Sequence, residues 1–134
     1  MSEQPNSIII SQAIIESGWG TSRFFLEGFN LFGIHSYSLD EMTIQAIGSN
    51  NSSPVYVKKY NDILSSISHY LRTLARSNAY KDFRKHRFEN DSIFNLLLHL
   101  QKYSERRELY IKDLQDIIEY NNLSIYDNIK VNWE

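Results

Sequence analysis

Apolar residues recur at helical spacing along most of this chain, and they alternate with polar ones only in a short central segment. Isoleucines cover nearly all sides of the first predicted helix, which begins at a cap on Asn6 or Ser7 and ends at Gly18 and Gly20. A strong amphipathic pattern over 63–75 predicts a long helix behind a cap at Asn61 or Asp62. Apolar patterns predict further helices at about 93–100 and 109–120. We also expect a short aromatic helix or turn at 24–29, and a short basic helix that starts at 78–80 and ends at about 85.

The central segment has mild strand patterning over Thr43–Ile47 and Val55–Lys58, with a polar loop between them, which predicts a small hairpin. The predicted fold class is therefore α+β and predominantly helical. We expect one domain over residues 1–134, with a two-lobed plan, a hairpin lobe at about 34–60 and a tail without clear period at about 123–134. Glu16 would lie at the inner edge of the cleft between the lobes.

Composition narrows the class of protein. A chain of 134 residues that is 42% hydrophobic can bury a real core, and without cysteine it can form no disulfide or thiolate metal site. The formal net charge of -2 gives no reason to expect a nucleic-acid partner. Basic residues concentrate over 58–87, which suits an anionic polymer such as peptidoglycan or equally a solvated helix face. No signal peptide or membrane span is visible, because residues 1–7 are polar and the isoleucine run is short.

Glu16 is the first candidate for chemistry. It ends an apolar helix, where the negative end of the helix dipole favours the neutral acid, and Trp19 and Phe24 would exclude water from it. A carboxylic acid that stays protonated near neutral pH can give its proton to a leaving glycosidic oxygen. The same position is also compatible with an ordinary exposed glutamate in the last turn of a helix.

Two motifs carry a resemblance to a known family. Gln12-Ala13-x-x-Glu16-Ser17-Gly18-Trp19-Gly20 followed by Asn30-Leu31-Phe32-Gly33 resembles the glucosaminidase domains of glycoside hydrolase family 73, which are related in fold to goose-type lysozymes and lytic transglycosylases. Thr21-Ser22-Arg23-Phe24 and the later Tyr103-Ser104-Glu105-Arg106, with Tyr110-Ile111 after it, look most like the bacterial Bax-type branch. The resemblance runs from about Pro5 to Leu123, nearly the whole chain.

The resemblance implies roles for particular residues. Glu16 falls on the catalytic general acid, and Asn30 begins the motif that leads into the hairpin lobe, where it is equally a turn residue. Tyr80 falls near the sugar subsite and Tyr103 at the cleft floor, although both are also plausible core residues. Trp19, Phe32 and Tyr80 are expected to stack or pack on sugar faces.

The resemblance also implies a second carboxylate from the hairpin lobe, where Asp40 and Glu41 are the acids and Glu41 is the better match. Glu41 would activate water or stabilise the oxocarbenium charge. Glu27 is nearer to Glu16 in sequence but is expected on an exposed helix face. If no acid reaches Glu16, the N-acetyl group of the substrate could assist instead. Arg107, where relatives of this type carry glycine, indicates a changed loop.

Other chemistries find little support. The four histidines, His35, His69, His86 and His99, show no metal-binding spacing, so no metal is expected. Ser17 lacks the context of a nucleophile elbow, and its hydroxyl is better placed to hold Glu16 or to cap the helix end. No cofactor is expected.

The sequence therefore predicts a peptidoglycan hydrolase that cleaves β-1,4 bonds as an endo-β-N-acetylglucosaminidase. The alternatives are a lytic transglycosylase on the same polymer and a non-catalytic module that binds the cell wall. The expected partner is the peptidoglycan glycan strand, with no nucleic acid and no membrane span, and we expect a monomer. The resemblance implies the bacterial cell envelope, periplasmic or secreted.

Overall fold

The computed structural model describes residues 4–38, 42–46 and 54–129. The described residues are mostly helical and contain one small antiparallel sheet, which confirms the predicted fold class. The helices are α1 (Asn6–Ser17), α2 (Arg23–Gly28), α3 (Ile63–Arg76), α4 (Lys81–Phe88), α5 (Ile93–Leu98) and α6 (Glu108–Tyr120). The strands are β1 (His35–Ser36), β2 (Thr43–Gln45) and β3 (Tyr56–Lys58), and 3₁₀ turns cover Asn78–Tyr80, Gln101–Tyr103 and Leu123–Asn128.

The sheet contains the predicted hairpin and one strand more. β2 and β3 pair antiparallel with Ile44 opposite Val57, and β1 joins the other edge of β3 to give the order β1-β3-β2. The third strand was not predicted, because two residues are too few to show an alternating pattern. α2 lies against β2, where a Cβ on Gly28 would come within 2.8 Å of Ile44 Cδ1.

The chain divides into two compact units. The terminal unit is made of residues 1–15 and 72–134, and the inserted unit is made of residues 16–71. α5 packs between α4 and α6 in the terminal unit, and the 123–128 turn packs on α6. Its buried apolar residues include Ile8, Ile9, Leu74, Phe83, Leu96, Leu97, Leu100, Tyr110, Ile111, Leu114 and Ile118. Those of the inserted unit are Phe32, Ile44, Val57, Tyr60 and Tyr70.

The first helix begins where it was predicted, but its N-terminus is capped differently. Asp127 accepts both the backbone N–H and the hydroxyl of Ser7, each at 2.7 Å. The side chain of Asn6 donates instead to the carbonyls of Tyr126 and Ile129. The cap therefore comes from a distant carboxylate, which also supplies the negative charge that the first turn of α1 lacks.

Polar residues lie on the buried side of α1, although the sequence predicts a helix that is apolar on nearly all sides. Ile8 and Ile9 are buried as predicted, but so are Ser11 and Gln12, while the other isoleucines are partly exposed. The side-chain amide of Gln12 donates to the hydroxyl of Tyr110 at 2.9 Å. This bond ties α1 to α6 within the terminal unit.

The cap predicted for α3 is confirmed at Asp62, whose carboxylate accepts the backbone N–H of Ser65 at 2.7 Å. Hydrogen bonds from the side chain and backbone of Ser65 lower the pKa of Asp62. Across the residues that the structure describes, none of the helices has the length and apolar character needed to cross a bilayer.

Candidate active site

Glu16 is the penultimate residue of α1, and the chain leaves the helix through three successive left-handed residues. Gly18, Trp19 and Gly20 have φ of 55°, 57° and 76°. The hydroxyl of Ser17 accepts the N–H of Gly20 at 2.9 Å, and the carbonyl of Ser17 accepts the N–H of Ser22 at 2.9 Å. These bonds fix the helix end, so the partly buried Glu16 stands on a well-defined backbone.

Trp19 lies close to Glu16 in sequence, but its environment differs from the expected one. Its side chain is largely in solvent, with 63% of the residue exposed, so it does not provide the dry enclosure that was expected around Glu16. A tryptophan in the left-handed region costs about 1 kcal/mol relative to an ordinary backbone conformation. An exposed aromatic ring held in this way is a suitable surface for an apolar or sugar face.

The second motif forms a tight turn between α2 and β1. The side-chain amide of Asn30 donates to the carbonyls of Ile34 and Lys58, at 2.9 and 2.8 Å, and its oxygen accepts the N–H of Ile34 at 3.0 Å. Asn30 is fully buried, so these three bonds satisfy a side chain that would otherwise be costly to desolvate. They close the turn and attach it to β3.

Phe32 anchors the same turn from the other side. Its ring stacks on that of Tyr70 of α3, with 3.9 Å between centroids and 6° between planes. Phe32 is 1% exposed and Tyr70 is fully buried. This position favours a packing role for Phe32 rather than the expected stacking on a sugar.

Gly33 brings the two motifs together. Its φ is 66°, and a Cβ built on it would lie 2.9 Å from Oε2 of Glu16 and 3.8 Å from both Cβ and Cδ of that residue. The carboxyl of Glu16 therefore lies directly against the backbone of Gly33. The sequence indicates that the two motifs belong together, but the spacing along the chain does not indicate that the carboxyl of Glu16 lies against the backbone of Gly33.

The candidate tyrosines lie together in the terminal unit. The rings of Tyr80 and Tyr103 are 6.2 Å apart, and Tyr103 stacks on Tyr110 at 6.0 Å. Tyr80 is 7% exposed, and Tyr103 is partly exposed. Tyr110, which hydrogen-bonds to Gln12 of α1, belongs to the family resemblance and to the apolar pattern of α6 but was given no role as a site residue, because an apolar helical pattern does not distinguish a buried phenol from a phenyl ring.

The predicted second carboxylate, Glu41, lies outside the described residues, as does Asp40. Glu27 is exposed as expected, and its carboxylate lies 3.4 Å from Nη1 of Arg23 in the same helix.

Across residues 4–38, 42–46 and 54–129, no three histidines or acids come together as a metal-ligand set. His86 and His99 stack at 4.2 Å, with Asp91 bound to His86.

Residues 2–123 match the family model for glucosaminidases, described as mannosyl-glycoprotein endo-beta-N-acetylglucosaminidase. The chain belongs to this family of glycoside hydrolases. It is 35% identical over 86 residues to Protein bax of Escherichia coli, a match that covers 62% of this chain and 28% of that protein. This match confirms the resemblance to the Bax-type branch. The chain spans a little over a quarter of the length of this relative.

Solved structures share the fold. The catalytic domain of the autolysin Auto from Listeria monocytogenes has a TM-score of 0.70 at 24% identity, with 90% of this chain and 74% of that one covered. A peptidoglycan hydrolase from Sphingomonas sp. A1 has a TM-score of 0.68 at 18% identity over 94% and 83% of the two chains. The glycoside hydrolase domain of FlgJ from Salmonella typhimurium has a TM-score of 0.62 at 22% identity over 90% and 85%. The fold is lysozyme-like.

Proposed function

We propose that this chain hydrolyses β-1,4 glycosidic bonds of peptidoglycan as an endo-β-N-acetylglucosaminidase, with Glu16 as the general acid. Membership of the glucosaminidase family supports the reaction class. The names of the structural neighbours, an autolysin and a peptidoglycan hydrolase among them, support the substrate. These names also support a site of action at the bacterial cell envelope.

The observation that carries the proposal is the position of Glu16. It stands at a fixed helix end, partly buried, with its carboxyl against Gly33 of the second motif. A general acid must be held within hydrogen-bond reach of the leaving oxygen, and a carboxyl that is supported by a rigid backbone meets this requirement. In the proposed step Glu16 protonates the glycosidic oxygen, and the bond from that oxygen to the anomeric carbon breaks. Water adds to the anomeric carbon and gives up one proton to a base, so that one hydroxyl forms on each product.

Aromatic residues are the proposed substrate contacts. The exposed ring of Trp19 is suited to stacking on a sugar, and the adjacent rings of Tyr80 and Tyr103 support a shared role beside the reacting sugar. Asn30 and Phe32 are buried and held within the turn, so we propose that they shape the site without touching the glycan.

The test is Glu16→Gln, which removes the proton donor and keeps the shape of the side chain. Purified cell walls are digested, and released reducing ends are counted. Because general acid catalysis is worth about 10²–10⁴-fold, we expect the rate to fall at least a hundredfold. Glu27→Gln is the matched control, since it makes the same change on an exposed side chain and should retain the parental rate.

Mass spectrometry of the products separates the alternatives. Fragments that end in reducing N-acetylglucosamine support the proposal, and anhydro ends, lighter by the mass of water, would indicate a lytic transglycosylase instead. Parental activity in Glu16→Gln would remove Glu16 from the mechanism. A parent that binds walls without cutting them would indicate a non-catalytic module.

A further inference from the structure

We infer that Gly33 is a positioning residue for Glu16: the missing side chain at residue 33 determines where the carboxyl can lie. This inference rests on the proposed role of Glu16 as proton donor. A Cβ at residue 33 would come 2.9 Å from Oε2 of Glu16, closer than real Cβ contacts allow. Any side chain there would require the carboxyl or the turn to move.

The turn is poorly able to move, because the residues on both sides of Gly33 are anchored. Phe32 is stacked on Tyr70, and both backbone polar groups of Ile34 are bound by the side chain of Asn30. Asn30 is bound in turn to the carbonyl of Lys58 in β3. An added methyl group would therefore displace Glu16, and a displacement of about 1 Å at a catalytic group can cost about a hundredfold in rate.

An alanine at residue 33 would also be strained by the left-handed backbone there, apart from any contact with Glu16. A second glycine of the chain, Gly20, allows this strain to be measured without the contact. Gly20 has φ of 76°, close to the 66° of Gly33, so alanine at either position meets similar backbone strain. A Cβ on Gly20 would find its nearest neighbour, Cε2 of Phe25, at an ordinary 3.8 Å. Gly20→Ala thus reproduces the strain of Gly33→Ala without the collision with Glu16.

The activity test compares Gly33→Ala with Gly20→Ala on soluble glycan fragments of peptidoglycan. We expect Gly33→Ala to lower kcat at least tenfold more than Gly20→Ala does, with KM within about threefold of the parent, because the acid is misplaced while the substrate contacts remain. A merely structural role would lower the amount of folded protein and leave kcat per folded molecule unchanged. Equal kcat values for the two variants would overturn the inference even if Glu16→Gln is inactive.

A stability test examines the contact without reference to activity. Glu16→Ala removes the oxygen that a methyl group at residue 33 would meet. In this background Gly33→Ala should raise the unfolding equilibrium constant no more than Gly20→Ala does, whereas in the parent it should raise it at least about twofold more, a modest excess because the end of the Glu16 side chain can shift. If Gly33→Ala changes the unfolding equilibrium constant equally in both backgrounds, the inferred contact between residue 33 and the Glu16 carboxyl is wrong.

The two tests also separate this inference from the proposed function. If the parent shows no glycosidase activity, the proposed function fails, and the positioning of Glu16 is then decided by the stability test. If Gly33→Ala does not fold, recovery of the fold in Glu16→Ala/Gly33→Ala supports the inference and no recovery overturns it.

Discussion

At the scale of single residues, Glu16 is the proposed proton donor, and the proposed reaction also requires a group that activates water. Glu41 is our proposal, and Asp40 beside it offers a matched comparison. The base would take a proton from the attacking water on the face of the sugar opposite to Glu16.

We expect Glu41→Gln to lower kcat on soluble glycan fragments at least tenfold, because it removes the proposed base, and Asp40→Asn to leave it within about twofold. Steady-state kinetics at neutral pH measure both. If neither variant loses activity, the substrate's own N-acetyl group becomes the better candidate for assistance.

The sequence predicted the two motifs of the candidate site but not their contact. The pattern around Glu16 suggested that Trp19 would shield the carboxyl, because a motif read along the chain assigns neighbours by sequence distance. In the structure Trp19 is exposed, and the carboxyl of Glu16 lies against Gly33, seventeen positions further along the chain. Such a contact depends on how the turn after α2 folds back, which local patterns do not encode.

At the scale of elements, the N-terminus of α5 shows how a short helix is held. Ser92 is the N-cap and accepts the N–H of Asn95, while the preceding Asp91 accepts the N–H of Ser92 and the side-chain amide of Asn95. The other oxygen of Asp91 lies 3.0 Å from Nδ1 of His86 in α4. The hydrogen bond from Asn95, followed by those from His86 and Ser92, lowers the pKa of Asp91.

A lowered pKa in the folded state makes the stability depend on pH in a defined direction. The contribution of Asp91 should be complete above the ordinary aspartate pKa of about 3.9 and should be lost as the pH falls through the lower folded value. We therefore expect Asp91→Asn to destabilise the protein at pH 7 and to have little effect at the acid end. Urea unfolding between pH 7 and pH 3 measures the difference.

The control for this experiment is Glu105→Gln, which neutralises an exposed side chain. Its effect on stability should be small and should change little with pH. A difference between Asp91→Asn and the parent that stays constant down to pH 3 would contradict the role assigned to the Asp91 carboxylate.

Most elements were predictable because they depend on local patterns, and the errors arise where partners are distant. The cap at Asp62 was found because its partner Ser65 is three residues away. The cap of α1 was missed because Asp127 lies 120 residues from Ser7, and no local pattern links them. β1 was missed because its two residues become a strand only through pairing with β3.

At the scale of the whole molecule, the two ends of the described chain belong to the same unit. The bonds from Ser7 to Asp127 and from Asn6 to the 126–129 segment join them. Asp127 lies beyond residues 2–123, the stretch that matches the family model, so this clasp joins the matched stretch to a residue outside it.

Asp127→Ala should destabilise the protein by about 1–2 kcal/mol, the usual cost of losing a helix cap. Asp116→Ala, which removes the exposed partner of Lys112, should cost less than about 0.5 kcal/mol. Urea unfolding at constant pH measures both. Equal losses for the two variants would mean that the 123–129 segment does not hold α1.

The clasp also has a consequence for how the protein is made. Ser7 is synthesised 120 residues before its acceptor Asp127, which at about 5–20 residues per second is a delay of roughly 6 to 24 seconds. The continuous stretch 16–71 has all of its own residues available earlier. We therefore expect the helix that carries Glu16 to receive its N-terminal cap only after residue 127 has been synthesised.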